Sequence, residues 1–168
     1  MNVVDIAKQH SILSHKLSNN LYDGKPYGKH LSMVFNIGKR FKKLIPIDDR
    51  DDVFAAIWEH DTLEDCNVTY SNIKKITNSV VAEIVYACTN EKGRNRKEKN
   101  NDKYFNGIRN TKYATFVKLC DRIANVEYSI ESNNGMLEMY KKEHEHFKNM
   151  LYTIEYEEMW QYLDSLFT

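Results

Sequence analysis

Trp58-Glu59-His60-Asp61-Thr62-Leu63-Glu64-Asp65 follows directly on an apolar run, Val53-Phe54-Ala55-Ala56-Ile57-Trp58. Apolar residues in unbroken series are what a buried helix presents, yet a histidine and several carboxylates stand at the end of this one. Either those groups solvate a helix terminus, or they are gathered around an ion. The rest of the chain carries only two prolines and six glycines and shows little period-2 alternation, so an all-α fold is expected.

Working outward from that run, apolar spacing marks the other helices. Ile6, His10, Leu13, Leu17 and Leu21 read as the inward face of a first helix, followed by a loop, Tyr22-Asp23-Gly24-Lys25-Pro26. Tyr27, His30, Val34, Ile37 and Phe41 form the stripe of a second, ending before Pro46. The third opens near the acidic cluster Asp48 to Asp52, suited to the positive end of a helix, and carries Val53, Ile57 and His60 inward. Thr69 and Ser79 are the expected N-caps of two further helices, reaching about Lys75 and Thr89. The polar stretch Glu91 to Asn101 reads as an exposed loop. Beyond it Ala114, Val117, Asp121, Ala124 and Tyr128 share one stripe of a long helix. A helix from about Met136 to Leu151 and a last one from Glu155 to Phe167, with Met159, Trp160, Leu163 and Phe167 inward, complete one compact helical domain over residues 1–168.

Charge excludes some functions. Lys+Arg and Asp+Glu both number 24, so bulk electrostatics gives no reason to expect nucleic acid as a partner. Cys66, Cys88 and Cys120 show no CxxC spacing, and read as small hydrophobes in a reducing compartment. No apolar run approaches the roughly 18 residues of a membrane span, and the N-terminus lacks a signal-peptide pattern. A cytoplasmic protein is expected, with no membrane partner; the sequence does not fix an oligomeric state.

His30, the pair His60-Asp61, and Asp121 each fall on or beside the apolar stripe of a different helix. A lone core histidine is commonly just hydrogen-bonded, but an unpaired carboxylate on a buried stripe is costly. If the three helices meet, imidazoles and carboxylates converge, and a divalent cation would neutralise the charge. A mixed N/O set suits Mn, Fe or Zn better than Ca or Mg, and leaves positions open for water and substrate. Glu64 and Asp65 lie four residues after His60 and Asp61 and, if the helix persists another turn, project on the same side. There they either orient and deprotonate the attacking water or simply solvate the helix end.

These residues resemble the HD superfamily of metal-dependent phosphohydrolases, named for adjacent His and Asp like His60-Asp61. Within it, the chain is most similar to the alarmone hydrolases: the hydrolase domain of the RelA/SpoT stringent-response proteins and their small single-domain relatives. Gly24-Lys25-Pro26-Tyr27-Gly28-Lys29-His30 resembles the family's Gly-x-Pro-Tyr-x-x-His, and His60 through Asp65, then Val68-Thr69 and Ile73, resembles its His-Asp-x-x-Glu-Asp segment. Val80 through Thr89 resembles the following helix with its closing Thr. Val117-Lys118-Leu119-Cys120-Asp121-Arg122-Ile123-Ala124-Asn125 resembles the Val-Lys-Leu-Ala-Asp-Arg-x-x-Asn block. In order and spacing the match spans about residues 5 to 130.

The resemblance implies an HD-type helical fold with His30, His60, Asp61 and Asp121 as ligands of a Mn²⁺-type ion between helices. It implies Glu64 and Asp65 as the pair that activates water. It further implies that Asn125 helps hold a nucleotide, and places Tyr140 near the base or ribose, although that tyrosine also reads as core. Lys25, and Arg94 and Arg96 in the basic 92–99 loop, are the candidate phosphate contacts. The implied substrate is a small nucleotide, guanosine tetra- or pentaphosphate, cleaved at its 3′-pyrophosphate. Other phosphohydrolase activities of the superfamily, on NADPH, a nucleoside monophosphate or a cyclic nucleotide, remain open, as does a helical binding module without activity. With no synthetase-like domain following, degradation and not synthesis of an alarmone is expected. The chain departs from the pattern in its substrate shell. The relatives carry an Arg shortly before Gly-x-Pro-Tyr, where Ser18 to Asp23 offers no cation and Lys16, Lys25 and Lys29 are nearest. Ala124 replaces a bulkier residue, and Glu59 stands where an apolar residue is usual.

Overall fold

In the computed structural model, which describes residues 1–168, the apolar run Val53 to Trp58 lies in helix α3, Arg50–Glu59. It lies at the centre of the fold: every position from Ala55 to Glu59 is buried. Around it pack α1 (Val3–Leu17), α2 (Gly28–Arg40), α6 (Ser79–Cys88) and α9 (Ala114–Ser132). Short helices α4 (Thr62–Asp65) and α5 (Tyr70–Ile76) link α3 to α6. The one-turn α7 (Arg96–Lys99) and α8 (Asp102–Asn110) precede α9, and α10 (Leu137–Leu151) and α11 (Glu157–Ser165) close the chain. One core of 36 buried apolar residues runs from Ala7 to Leu163, with Phe116, Phe147 and Trp160 among its largest members. The all-α architecture expected from composition is what the structure has.

The stripes of α2, α3 and α9 hold, with Val34, Ile37, Phe41, Val53, Ile57, Val117 and Ala124 all buried. That of α1 does not. Leu13, Leu17 and Leu21 are 54%, 74% and 63% exposed, and the buried face is Ala7, Ser11 and His15. α1 lies along the polar side of α3 near Glu59, where small and polar residues fit and leucines do not. Thr69 caps α5 in a full capping box with Asn72, as expected, whereas α6 is capped by Asn78, whose carboxamide accepts from the Val81 N–H. The expected loop at 22–26 is a two-stranded hairpin, β1 (Leu21–Tyr22) and β2 (Lys25–Pro26). Its turn needs positive φ at Asp23 (50°) and Gly24 (73°), which an Asp-Gly pair tolerates. α8 carries no expectation from the sequence; its inward Tyr104, Phe105 and Ile108 are too few for a clear period.

Glu59, fully buried, explains its departure from an apolar residue. Its Oε1 bonds His10 Nδ1 at 2.8 Å, and Oε2 accepts from Thr62 Oγ1 at 2.9 Å. The Glu59 hydrogen bond raises the His10 pKa above its ordinary 6.5, against the opposing effect of burial. A raised folded-state pKa gives stability that is full below the unfolded value and is lost as pH rises through the folded one. Melting temperature is therefore expected to decline as pH rises from about 6.5 upward. The His10 share of that decline should vanish in Glu59→Gln; an identical slope in both proteins would remove the pair from the stability account.

Candidate metal centre

α2, α3 and α9 meet, and their meeting point brings the expected ligands together. His30 comes from the first turn of α2, His60 and Asp61 from the end of α3, and Asp121 from the middle of α9. His30 Nε2 lies 3.5 Å from Asp61 Oδ2 and 3.3 Å from Asp121 Oδ1. His60 Nε2 lies 3.0 Å and 3.7 Å from the same two oxygens. Ligand atoms of His30, His60 and Asp121 all fall within 4.8 Å of one another, and all three residues are buried.

The tautomer decides what this cluster can hold. His60 Nδ1–H donates to the Ile57 carbonyl at 2.7 Å, so Nε2 is left with a lone pair aimed at two carboxylates. That buried nitrogen has no hydrogen-bond partner. Lone pairs facing lone pairs need a cation between them, either a proton or a metal ion. Burial works against the charged imidazole, but Asp61 and Asp121 outweigh it and hold the His60 pKa well above the usual range. Conversely, although burial opposes it, His60 and His30 keep Asp61 well below the usual carboxylate range, and Lys118 with the same histidines does so for Asp121. An N₂O₂ set hungry for positive charge fits a divalent transition ion.

Neighbouring groups orient each ligand. Tyr27 donates to Asp61 Oδ2 at 2.6 Å, Lys118 Nζ to Asp121 Oδ2 at 2.9 Å, and Asn125 Nδ2 to Asp121 Oδ1 at 2.6 Å. Tyr22, whose hydroxyl donates to Asn125 Oδ1 at 2.7 Å, stacks on the His30 ring at 4.6 Å. His15 in turn stacks on Tyr27 at 4.1 Å, and burial pushes its pKa down to about 4. Sequence reasoning missed Tyr22, His15 and Lys118 in these roles. Only Lys118, one helical turn from Asp121, left a signal.

α3 ends at Glu59 and α4 begins at Thr62, so the extra helical turn expected for Glu64 and Asp65 is interrupted at His60 and Asp61, whose backbones stay in the right-handed helical region. Thr62 Oγ1 marks the interruption, donating to the Glu59 carbonyl at 2.8 Å. Both acids are exposed. Glu64 accepts from the Asn90 N–H and carboxamide at 3.3 and 3.2 Å. Desolvation, then the charges of Asp61 and Glu64, push Asp65 up to about 6.

A chamber of about 80 Å³ opens beside Asp121, lined by Asn90, Arg96, Lys118, Arg122, Asn125 and Tyr140 among others. Of the expected substrate contacts, Asn125, Arg96 and Tyr140 therefore share the chamber. Lys25 does not: it lies on the hairpin, 3.5 Å from the Tyr128 hydroxyl. Arg94 is exposed on the loop, its backbone N–H bonded to Glu98. Arg122, part of the Asp-Arg block quoted above but given no role there, bounds this region with Glu143, which carries no sequence signal because their contact spans α9 and α10.

The class of fold is thus set: a helical HD-type fold with a buried His/Asp cluster where three helices cross. No family model matches the chain, and no curated protein sequence does. Among solved structures, a metazoan ortholog of SpoT, described as hydrolysing ppGpp and as playing a role in starvation responses, superposes with a TM-score of 0.77. The match covers 99% of this chain and 94% of that one at 17% identity. The chain has the fold of a RelA/SpoT-like hydrolase domain. No helix is long and apolar enough to cross a membrane.

Proposed function

We propose that the protein is a metal-dependent phosphohydrolase that removes the 3′-pyrophosphate of guanosine tetra- or pentaphosphate, a small cytoplasmic nucleotide. The observation that carries this reading is the orphaned His60 Nε2 facing Asp61 and Asp121 at the edge of a cation-lined chamber. His30, His60, Asp61 and Asp121 would hold the ion, and the N/O set favours Mn²⁺. Such an ion polarises a phosphoryl oxygen and lowers the pKa of water.

The chain's own groups do the rest. Glu64 and Asp65 orient the attacking water and take its proton. Asn125, Tyr140 and Arg96 contact the nucleotide where it reaches from a larger adjoining cavity into the chamber, and Lys25 and Arg94 supply positive charge farther out. A second reading is favoured by Tyr22, an aromatic that occupies the stretch where the relatives have Arg: hydrolysis of NADPH, a nucleoside monophosphate or a cyclic nucleotide.

A nucleotide panel with Mn²⁺ separates the two. Guanosine tetraphosphate should be consumed with intact pyrophosphate as product. A much higher kcat/KM on NADPH, a monophosphate or a cyclic nucleotide would leave the hydrolase chemistry and overturn the substrate.

A further inference from the structure

The chamber beside Asp121, at about 80 Å³, falls well short of the roughly 300–1,000 Å³ of pockets that enclose a drug-sized ligand, so it does not hold a whole nucleotide. It adjoins a larger cavity of about 450 Å³, and both are lined by Arg96, Asn100, Phe105, Arg122 and Phe147. A carboxylate bridges two of those shared residues. Glu143 Oε1 accepts from Arg96 Nε at 2.5 Å, and Oε2 accepts from Arg96 Nη2 at 3.1 Å and Arg122 Nη1 at 3.0 Å.

One guanidinium forked onto an anion, with a second bonded to the same anion, forms a geometry in which Arg holds phosphate as readily as carboxylate. Arg122 cannot swing away. It is 6% exposed, and its guanidinium lies 4.3 Å from the Phe147 ring centre and 5.0 Å from that of Tyr140. Glu143 is the one acid lining the outer cavity, against Arg96, Lys97, Arg122, Lys142 and His146. Its contacts with the half-exposed Arg96 and the buried Arg122 are charge-assisted ones that a more highly charged anion can take over.

We propose that Glu143 holds the seat of a substrate phosphate. A phosphate group of the nucleotide, other than the one being hydrolysed, displaces the Glu143 carboxylate and binds Arg96 and Arg122. The nucleoside lies in the outer cavity against Phe105 and Phe147. The site thereby selects nucleotides with two separate phosphate groups over monophosphates. Which phosphate reacts rests on the function proposed above; the seat itself does not.

The experiment is calorimetric titration of guanosine 5′-diphosphate, with guanosine as control, into metal-free protein, where no turnover occurs. Glu143→Gln, which frees the seat and keeps the shape, is expected to bind the diphosphate about 10-fold more tightly than the unaltered protein. Arg96→Gln should bind it about 10- to 100-fold more weakly. Guanosine binding should not change in either. The opposite signs are the signature, since a strut that merely fixes the arginines would weaken binding in both. Weaker or unchanged diphosphate binding in Glu143→Gln, with its melting temperature retained, overturns the proposal. Should that variant not fold, unchanged binding in Arg96→Gln does the same. Failure to hydrolyse guanosine tetraphosphate, with these signs observed, would overturn the alarmone reading and leave the seat in place.

Discussion

His60→Ala and Asp121→Ala are each expected to lose the bound ion and, with it, about 10³-fold or more in phosphohydrolase activity. An ion of this kind contributes several kcal/mol of transition-state stabilisation, and each 1.36 kcal/mol is a factor of ten. His60 supplies a lone pair fixed by the Ile57 carbonyl, and Asp121 supplies an oxygen fixed by Asn125 and Lys118. Metal content after dialysis gives the direct reading. A second comes from melting: adding Mn²⁺ should raise the melting temperature of the unaltered protein, by mass action on the folded state, and leave both variants where they were. Stoichiometric metal in both folded variants would return the cluster to a protonated core network.

That network shows how far the sequence could be read. α2, α3 and α9 bury broad apolar stripes, so their period is visible, and the polar residues interrupting those stripes stood out as candidates. His30, His60, Asp61 and Asp121, which the structure brings together, stand out in the sequence because each lies on or beside an apolar stripe where a polar group is costly. α1 misled for the opposite reason. Its buried face is Ala7, Ser11 and His15, which carry little hydrophobic signal, while Leu13 and Leu17 face solvent. The helix is positioned by its polar partner, Glu59 with His10, a contact across 49 positions that no local period encodes.

The groups surrounding the ligands were hidden for a related reason. Tyr22 reads as a loop residue because what places it over His30 is a hairpin of two-residue strands. Arg122 and Glu143 sit on separate helices, 21 positions apart, and only the packing of α10 against α9 makes them partners. Residues that bond within one helical turn, such as Lys118 and Asp121, leave a trace in the sequence. Tyr22 and Glu143, whose contacts cross the fold, leave none.

Glu64→Ala and Asp65→Ala are expected to lower kcat by about 10²- to 10⁴-fold, the usual cost of removing a proton-transfer group, with the metal still bound. Rate and stability should part company here. Both side chains are exposed, and surface substitutions of this kind shift stability within about 0.5 kcal/mol. Asp65 goes further: desolvation and the Asp61 and Glu64 charges disfavour its ionised form, so its removal should leave the ion-free protein as stable or slightly more so. A residue kept only to solvate the end of α4 would show the reverse, with stability lost and rate unaffected. Asp65→Asn sharpens the distinction, since the amide keeps the size and cannot take a proton. It should match Asp65→Ala in rate and also lose the acid limb of the pH profile, which in the unaltered protein falls at or below about pH 6 because a bound cation draws the Asp65 pKa down. Near-normal turnover in Asp65→Asn would leave Glu64, held by Asn90 at the chamber's edge, as the acid that serves the water. Near-normal turnover in both Glu64→Ala and Asp65→Asn would show that neither does.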